Sequence, residues 1–277
     1  MIRFLILIGY SYLMMYLQMS GKLDQFINTH YQYLATLSML ISLILGLVQL
    51  YQWVKADQSP KQESHTHHDH NHTMTQPQKV VAYLLLTIPL VVGFLFPTVS
   101  LDTTIVEAKG FQFPISKESV GDPEMTTQYL QPNTSLYFNK SDYQKQMDRL
   151  RKKYETNGVL TVTEENYLEV MELIYNYPSE FTGRKIRYEG FLFNTPKNQG
   201  NFLFRFGIIH CVADSGVFGL RVILPEGTSG ENNQWFTVEG TVELDYYEPF
   251  QRDLPTVKAT KLTSVTTPKN EYVYRTF

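Results

Sequence analysis

The sequence predicts a membrane α-helical N-terminal part with three spans, followed by a C-terminal α+β, mainly β domain built as an OB-like barrel. Three observations predict this. Residues 1–98 hold three apolar runs with short polar stretches between them. Five runs rich in Val, Ile, Phe, Tyr and Thr lie between 185 and 265, divided by Gly, Pro and Asn. Strong charges are few before Leu101 and interspersed after it, so two solvents are implied for one chain of 277 residues. The expected organisation is a transmembrane region at 1–98, an extended and helical connector at 99–160, and a β-rich extracytoplasmic domain at 161–277.

The first run, about 4–19, follows Arg3 and has the length of a signal peptide. It lacks a small-x-small cleavage pattern before Gly21 and carries Tyr10, Tyr12 and Tyr16, which favours an uncleaved anchor. The second, about 34–54, contains no charge and ends in Tyr51 and Trp53, residues suited to a headgroup boundary. At ~1.5 Å per residue it covers a hydrocarbon layer of ~30 Å. The third, about 80–97, contains Pro89. A membrane helix tolerates such a proline where a neighbour or Thr87 re-satisfies the freed carbonyl.

Lys and Arg in the short loops set the orientation. With the N-terminus inside, Arg3, Lys55, Lys61 and Lys79 are cytoplasmic and Lys22 alone is outside. The expectation is a multi-pass protein of the cell membrane, with the N-terminus and the 55–79 loop cytoplasmic and the C-terminal domain outside. Membrane lipid is then its first partner.

That loop holds five of the seven histidines, His65, His67, His68, His70 and His72. Several imidazoles on a flexible polar segment can gather around one cation, and zinc or another divalent metal is the cofactor they suggest. The alternative is a soft linker in which almost any polar residue serves. Nothing in the spacing selects four ligands for a structural zinc site.

Beyond the third span, "SLDTTIVEAKGFQFPIS" reads as a strand-like or extended connection. Ser141–Thr156 reads as a surface helix with Ser141 as N-cap and Gly158 past its end. Glu164–Tyr177 reads as a second helix stopped by Pro178, with Leu168, Met171, Ile174 and Tyr175 on one face. The five β runs are 185–194, 201–212, 219–225, 234–247 and 256–265. In the second, Phe202, Phe204, Phe206 and Ile208 share one face by period two, and Leu203, Arg205, Ile209 and Cys211 the other. Their number and spacing suit a five-stranded, partly open OB-type barrel, with a Greek-key sandwich as the alternative. From Glu180 onward 11 Lys and Arg face 11 Asp and Glu. That balance lacks the footprint of phosphate binding, so no nucleic acid is expected.

The chemically suggestive stretch is "IIHCVADSG". His210, Cys211 and Asp214 could ligate one metal, or His210 could activate Cys211 as a nucleophile. A regular strand would point His210 and Cys211 to opposite faces, whereas a bulge or a strand end would bring them together. The plainer reading makes Cys211 a small buried residue and Asp214-Ser215-Gly216 a turn. Cys211 is the only cysteine, so no intrachain disulfide exists. Phosphate-loop, H-E-x-x-H and G-x-S-x-G patterns are absent, so an enzyme is not expected.

"FRFGIIHCVADSGVFGLRV", "VEGTVELDYYEPFQRDLPTVKATKLTSV" and "TPKNEYVYR", with the N-terminal spans and "VEAKG", resemble the YcgQ-like family of predicted permease subunits, found mostly in Gram-positive bacteria. The likeness covers nearly the whole chain. It implies an accessory subunit of a multi-span predicted permease, usually encoded beside it, and supplies no substrate; divalent metal (zinc) transport or homeostasis is the role that the histidines themselves suggest. Many relatives carry two adjacent cysteines where this chain has His210 and Cys211. Either histidine replaces one ligand or the position is permissive. Two further classes stand beside this one: an envelope sensor or scaffold whose outer domain binds a protein or cell-wall partner, and an external thiol enzyme. Gly46 and Gly93 offer places where a permease helix could approach closely.

Overall fold

The computed structural model describes residues 1–58, 75–96, 101–109, 140–155, 158–196 and 199–276. The chain divides into two units, Met1–Val99 and Ser100–Phe277. The histidines of the 55–79 loop lie outside the described residues.

The first unit holds α1 (Ile2–Met19), α2 (Gln32–Gln58) and α3 (Gln76–Leu95). All three are long and apolar enough to cross a membrane. Thr75 and Gln78 frame the start of α3, where the Thr75 N–H donates to Gln78 Oε1 at 2.9 Å. α1 packs against both α2 and α3. Its neighbours run in opposite senses. Ser11 Oγ donates to the Met39 carbonyl at 3.3 Å and Gln18 Nε2 to Thr36 Oγ1 at 3.2 Å, so α2 is antiparallel to α1. Arg3 Nε donates to Tyr83 Oη at 3.0 Å and Tyr10 Oη to the Leu86 carbonyl at 2.8 Å, so α3 is parallel to it. The Arg3, Lys55 and Lys79 ends therefore meet at one end of the unit, and Lys22 and Phe96 lie at the other.

Glycines set the helix contacts. A Cβ on Gly9 would lie 2.9 Å from Leu90, one on Gly93 2.9 Å from Leu13, and one on Gly46 3.1 Å from Ile8. Gly46 and Gly93 thus accept α1 of their own chain, which corrects the expectation that they receive a partner helix. Thr87 also departs from expectation: its hydroxyl donates to the Tyr83 carbonyl at 2.7 Å and not to Leu85, whose carbonyl Pro89 deprives of an N–H.

In the second unit, α4 (Thr103–Lys109) replaces the expected extended connection. Asp102 caps it, its carboxylate accepting the Thr104 N–H at 3.0 Å. The Thr103 N–H reaches Asn233 Oδ1 at 2.9 Å. Capping and tertiary contact outweigh the β-branched run Thr103-Thr104-Ile105-Val106. α5 (Lys140–Lys153) starts ahead of Ser141, which therefore lies in the first turn and is not the N-cap. α6 (Tyr167–Asn176) buries Leu168, Met171, Ile174 and Tyr175 as expected, and Val170 and Leu173 besides. Pro178 ends it and opens the one-turn α7 (Pro178–Phe181).

The strands are β1 (Leu160–Thr161), β2 (Lys185–Asn194), β3 (Asn201–Ile208), β4 (Gly216–Ile223), β5 (Trp235–Tyr247), β6 (Arg252–Ser264) and β7 (Tyr272–Tyr274). Their order is β1-β2-β5-β6-β4-β3-β7, and a further β2–β3 pairing closes β2, β5, β6, β4 and β3 into a ring. Phe191 marks the closure, pairing with Phe204 of β3 on one side and Trp235 of β5 on the other. Within the ring only β4–β6 is parallel. This sheet is consistent with an OB-like barrel. β1 and β7 are additions too short to be read from the sequence.

β3 is buried on both faces: Phe202, Phe204 and Ile208 on one, Leu203 and Arg205 on the other. β4 pairs with β6 only over 221–223. Upstream of that, tyrosine hydroxyls meet its carbonyls: Tyr167 donates to Phe218 at 3.3 Å, Tyr175 to Gly219 at 2.8 Å and Tyr188 to Leu220 at 3.4 Å. Three consecutive carbonyls of β4 thereby each receive a side-chain donor, in addition to the pairing of β4 with β3 over 216–222. Gly219 is required there, because a Cβ would sit 2.0 Å from the Leu203 carbonyl oxygen.

Candidate functional site

β3 ends at Ile208 and β4 begins at Gly216, so "IHCVADS" is a connection and not a strand. The strand end that could bring His210 and Cys211 together is present. Val212–Asp214 forms a single 3₁₀ turn, closed by the Asp214 N–H donating to the Cys211 carbonyl at 3.1 Å. The Asp214 carboxylate folds back over the start of that turn. It accepts the His210 N–H at 3.0 Å, the Cys211 N–H at 3.0 Å, and faces His210 Nδ1 at 2.7 Å. Ser215 Oγ closes the far side by donating to the Val212 carbonyl at 2.8 Å.

The structure therefore joins His210 to Asp214 as an oriented imidazole–carboxylate pair, both side chains partly exposed. Cys211 is half-buried and not a core residue. Asp214 is committed to two backbone N–H groups and one imidazole. Among the described residues no group of three or more His, Cys, Asp or Glu side chains is placed to hold a metal ion. His210, Cys211 and Asp214 do not fit a three-ligand centre. Asp214 is suited instead to fix the orientation of the His210 ring.

One charged residue stands out that sequence reasoning placed only by its face. Arg205 is 2% exposed. Its Nη2 donates to Glu164 Oε1 at 3.1 Å and to the Asn270 carbonyl at 2.6 Å. The guanidinium lies 5.3 Å from the centre of the Trp235 ring and 5.9 Å from that of Tyr167. An arginine inside "NFLFRFGII" was the signal, since a charge in a run buried on both faces needs partners. At the β5–β6 turn, Arg221 pairs with Asp245 and lies 5.2 Å over the Tyr247 ring, while Tyr247 sits edge-on to Phe202 and Phe250. These contacts tie the turn to β3 and β4.

A second carboxylate is shared between elements. Glu169 of α6 accepts from Lys153 Nζ at 2.8 Å, Tyr154 Oη at 2.9 Å and Thr276 Oγ1 at 3.0 Å. Burial acts to raise its pKa, but these three donors outweigh burial and hold the carboxyl below its ordinary value. Burial raises the hydroxyls of Tyr167, Tyr175 and Tyr188 well above theirs.

Residues 2–112 match the family model of the DUF1980 N-terminal domain, and residues 137–275 that of the DUF1980 C-terminal domain. Over the full length of both chains, the sequence is 47% identical to a Streptococcus mutans protein named "Putative two-component membrane permease complex subunit". It is 39% identical, again over both full lengths, to "UPF0703 protein YcgQ" of Bacillus subtilis.

Proposed function

The chain belongs to the DUF1980 family, and from that membership we propose that it is an accessory, non-catalytic subunit of a multi-span membrane permease. The observation that carries this reading is the full-length likeness to a relative named as a permease complex subunit. The helical unit supports it. Its buried cluster consists of Ile6, Leu13 and Leu90, a small core for three spans whose outer faces are apolar and exposed. Such a layer is suited to assemble with further membrane helices.

In this reading α1 and α3 run from the cytoplasm outward, and the ring of strands is an OB-like barrel outside the membrane. The pairing of helix ends favours this, because it groups Arg3, Lys55 and Lys79 on one side, the side that basic residues select. A divalent cation is the cargo favoured by His65, His67, His68, His70 and His72 alone. The turn at 210–214 lends it no ligand set, and its role is to present His210 on the outer domain.

Purification of the tagged full chain in mild detergent from cells that express the neighbouring permease tests the proposal. Stable capture of that permease is expected. A chain that comes away without it, from membranes in which the permease is abundant, refutes the reading and favours the self-contained sensor or scaffold. Cellular metal content with and without the pair then tests the cargo.

A further inference from the structure

We propose that the face of α3 formed by Leu85, Ile88, Pro89 and Val92 docks onto a permease helix that presents a hydrogen-bond donor near mid-membrane. The inference rests on the accessory-subunit reading and adds to it which surface makes the contact and what chemistry the partner must bring.

Pro89 lies near the middle of the apolar part of α3 and has no N–H to give to the Leu85 carbonyl. No side chain among the described residues donates to that carbonyl in its place. Thr87, the nearest hydroxyl on the helix, is committed to Tyr83 at 2.7 Å. The next carbonyl, that of Leu86, faces α1 and receives the Tyr10 hydroxyl at 2.8 Å. A neighbouring helix thus serves the acceptor on the inner side of the proline, while the one on the outer side is left to whatever covers it.

Leu85, Ile88 and Val92 are 61%, 47% and 48% exposed. Lipid tails offer no donor, and a bare backbone acceptor in hydrocarbon is strongly disfavoured. A membrane helix with a hydroxyl or amide side chain at this depth removes the penalty. A second copy of the chain fits less well. Symmetric α3–α3 packing would place like faces together, bringing one Leu85 carbonyl towards the other with the Thr87 donors already engaged.

The test places p-benzoylphenylalanine at Ile88 or Val92 of α3, and at Leu40 or Leu47 of α2 for comparison, in the full chain co-expressed with the neighbouring permease. Membranes are irradiated intact. Permease adducts are expected from positions 88 and 92, severalfold above those from 40 and 47. Pro89→Ala returns an N–H to Leu85 and is expected to lower permease capture severalfold while leaving the chain in the membrane. Permease that co-purifies but cross-links only through α2 overturns this inference and leaves the accessory-subunit reading standing. Adducts of the chain with itself from 88 and 92 overturn it in favour of a dimer. If the permease neither cross-links nor co-purifies, both the inference and the reading beneath it fall.

Discussion

Raising the pH should unfold the strand domain through three buried phenols. Tyr167, Tyr175 and Tyr188 are buried, with hydroxyls donating to the carbonyls of Phe218, Gly219 and Leu220. Burial lifts their pKa values well above the ordinary phenol value of ~10. The stabilising contribution of a group raised on folding is complete below its unfolded pKa and is lost as pH climbs towards the folded one. Above pH ~10 the unfolded chain has released three protons that the folded chain retains, so stability should fall by about 4 kcal/mol per pH unit from these groups alone. Trp53 and Trp235 are the two tryptophans, and Trp235 is buried in the strand domain. In a Trp53→Phe background its emission reports unfolding of that domain. Urea midpoints of the full chain in detergent between pH 9 and 11 give the slope. Tyr175→Phe should reduce the slope by about a third. Below pH 9 it should cost about 1–2 kcal/mol, because the Gly219 carbonyl loses a 2.8 Å donor. Tyr167→Phe and Tyr188→Phe, whose bonds are longer, should cost less. A slope unchanged by all three substitutions, or phenol absorbance showing these tyrosines ionised near pH 10 in the folded chain, would refute the reasoning.

Three other outcomes are expected. Glu169 is held low by its donors, so its contribution is present above the unfolded carboxylate pKa and fades as pH falls through its lower folded value. Glu169→Gln should therefore cost about 1.5–3 kcal/mol at neutral pH and little under strongly acidic conditions, as read by the Trp235 midpoint. Glu164→Ala should cost about 1–2 kcal/mol, because the buried Arg205 loses one of its two hydrogen-bond acceptors while water reaches the half-exposed Glu164 side, and Arg205→Met should cost less because the buried charge itself is removed; the reverse ranking in chemical denaturation would contradict this account. For topology, a membrane-impermeant maleimide should label Cys211 in intact cells. Labelling seen only after lysis would place the strand domain inside.

The parts of the fold legible in the sequence were those dictated by solvent or by period. The charge-free run of α2 needs no tertiary information to be assigned, and the β run at 185–194 matches β2 residue for residue. What escaped was decided by distant partners. α4 is helical because Asp102 caps it and Asn233 holds its first N–H, and Asn233 lies 130 residues downstream of Thr103. β7 is a strand only because β3 lies beside it. The candidate site divides in the same way. Asp-Ser-Gly announced a turn, but that the carboxylate would turn back onto His210 and Cys211, and so leave the expected ligand set, depends on side-chain geometry that spacing does not encode. Arg205 was visible as a charge, while its partners Glu164 and Asn270 come from segments on either side of the strand order.

The two units are held together by unequal means, and that inequality bears on the proposed role. The strand domain has a continuous core running from Val106 to Val273, a buried arginine with a carboxylate partner and a ring of paired strands. It carries the determinants of its own fold. α1 and α3 bury Ile6, Leu13 and Leu90 against one another, and the three helices are otherwise joined by glycine contacts and single hydrogen bonds such as Ser11 to Met39. In a bilayer the apolar exterior of α2 and α3 provides no drive for helices to associate, because lipid is as apolar as leucine. Specific association must then come from close packing and polar contacts. α1 uses Gly9 against Leu90, inserts Leu13 at Gly93 of α3, and gives the Tyr10 hydroxyl to α3, which leaves the Pro89 face of α3 with an unmet acceptor. Any recognition of a membrane partner by this unit is therefore expected to centre on α3, with α2 tolerant of conservative apolar substitution along its outer face.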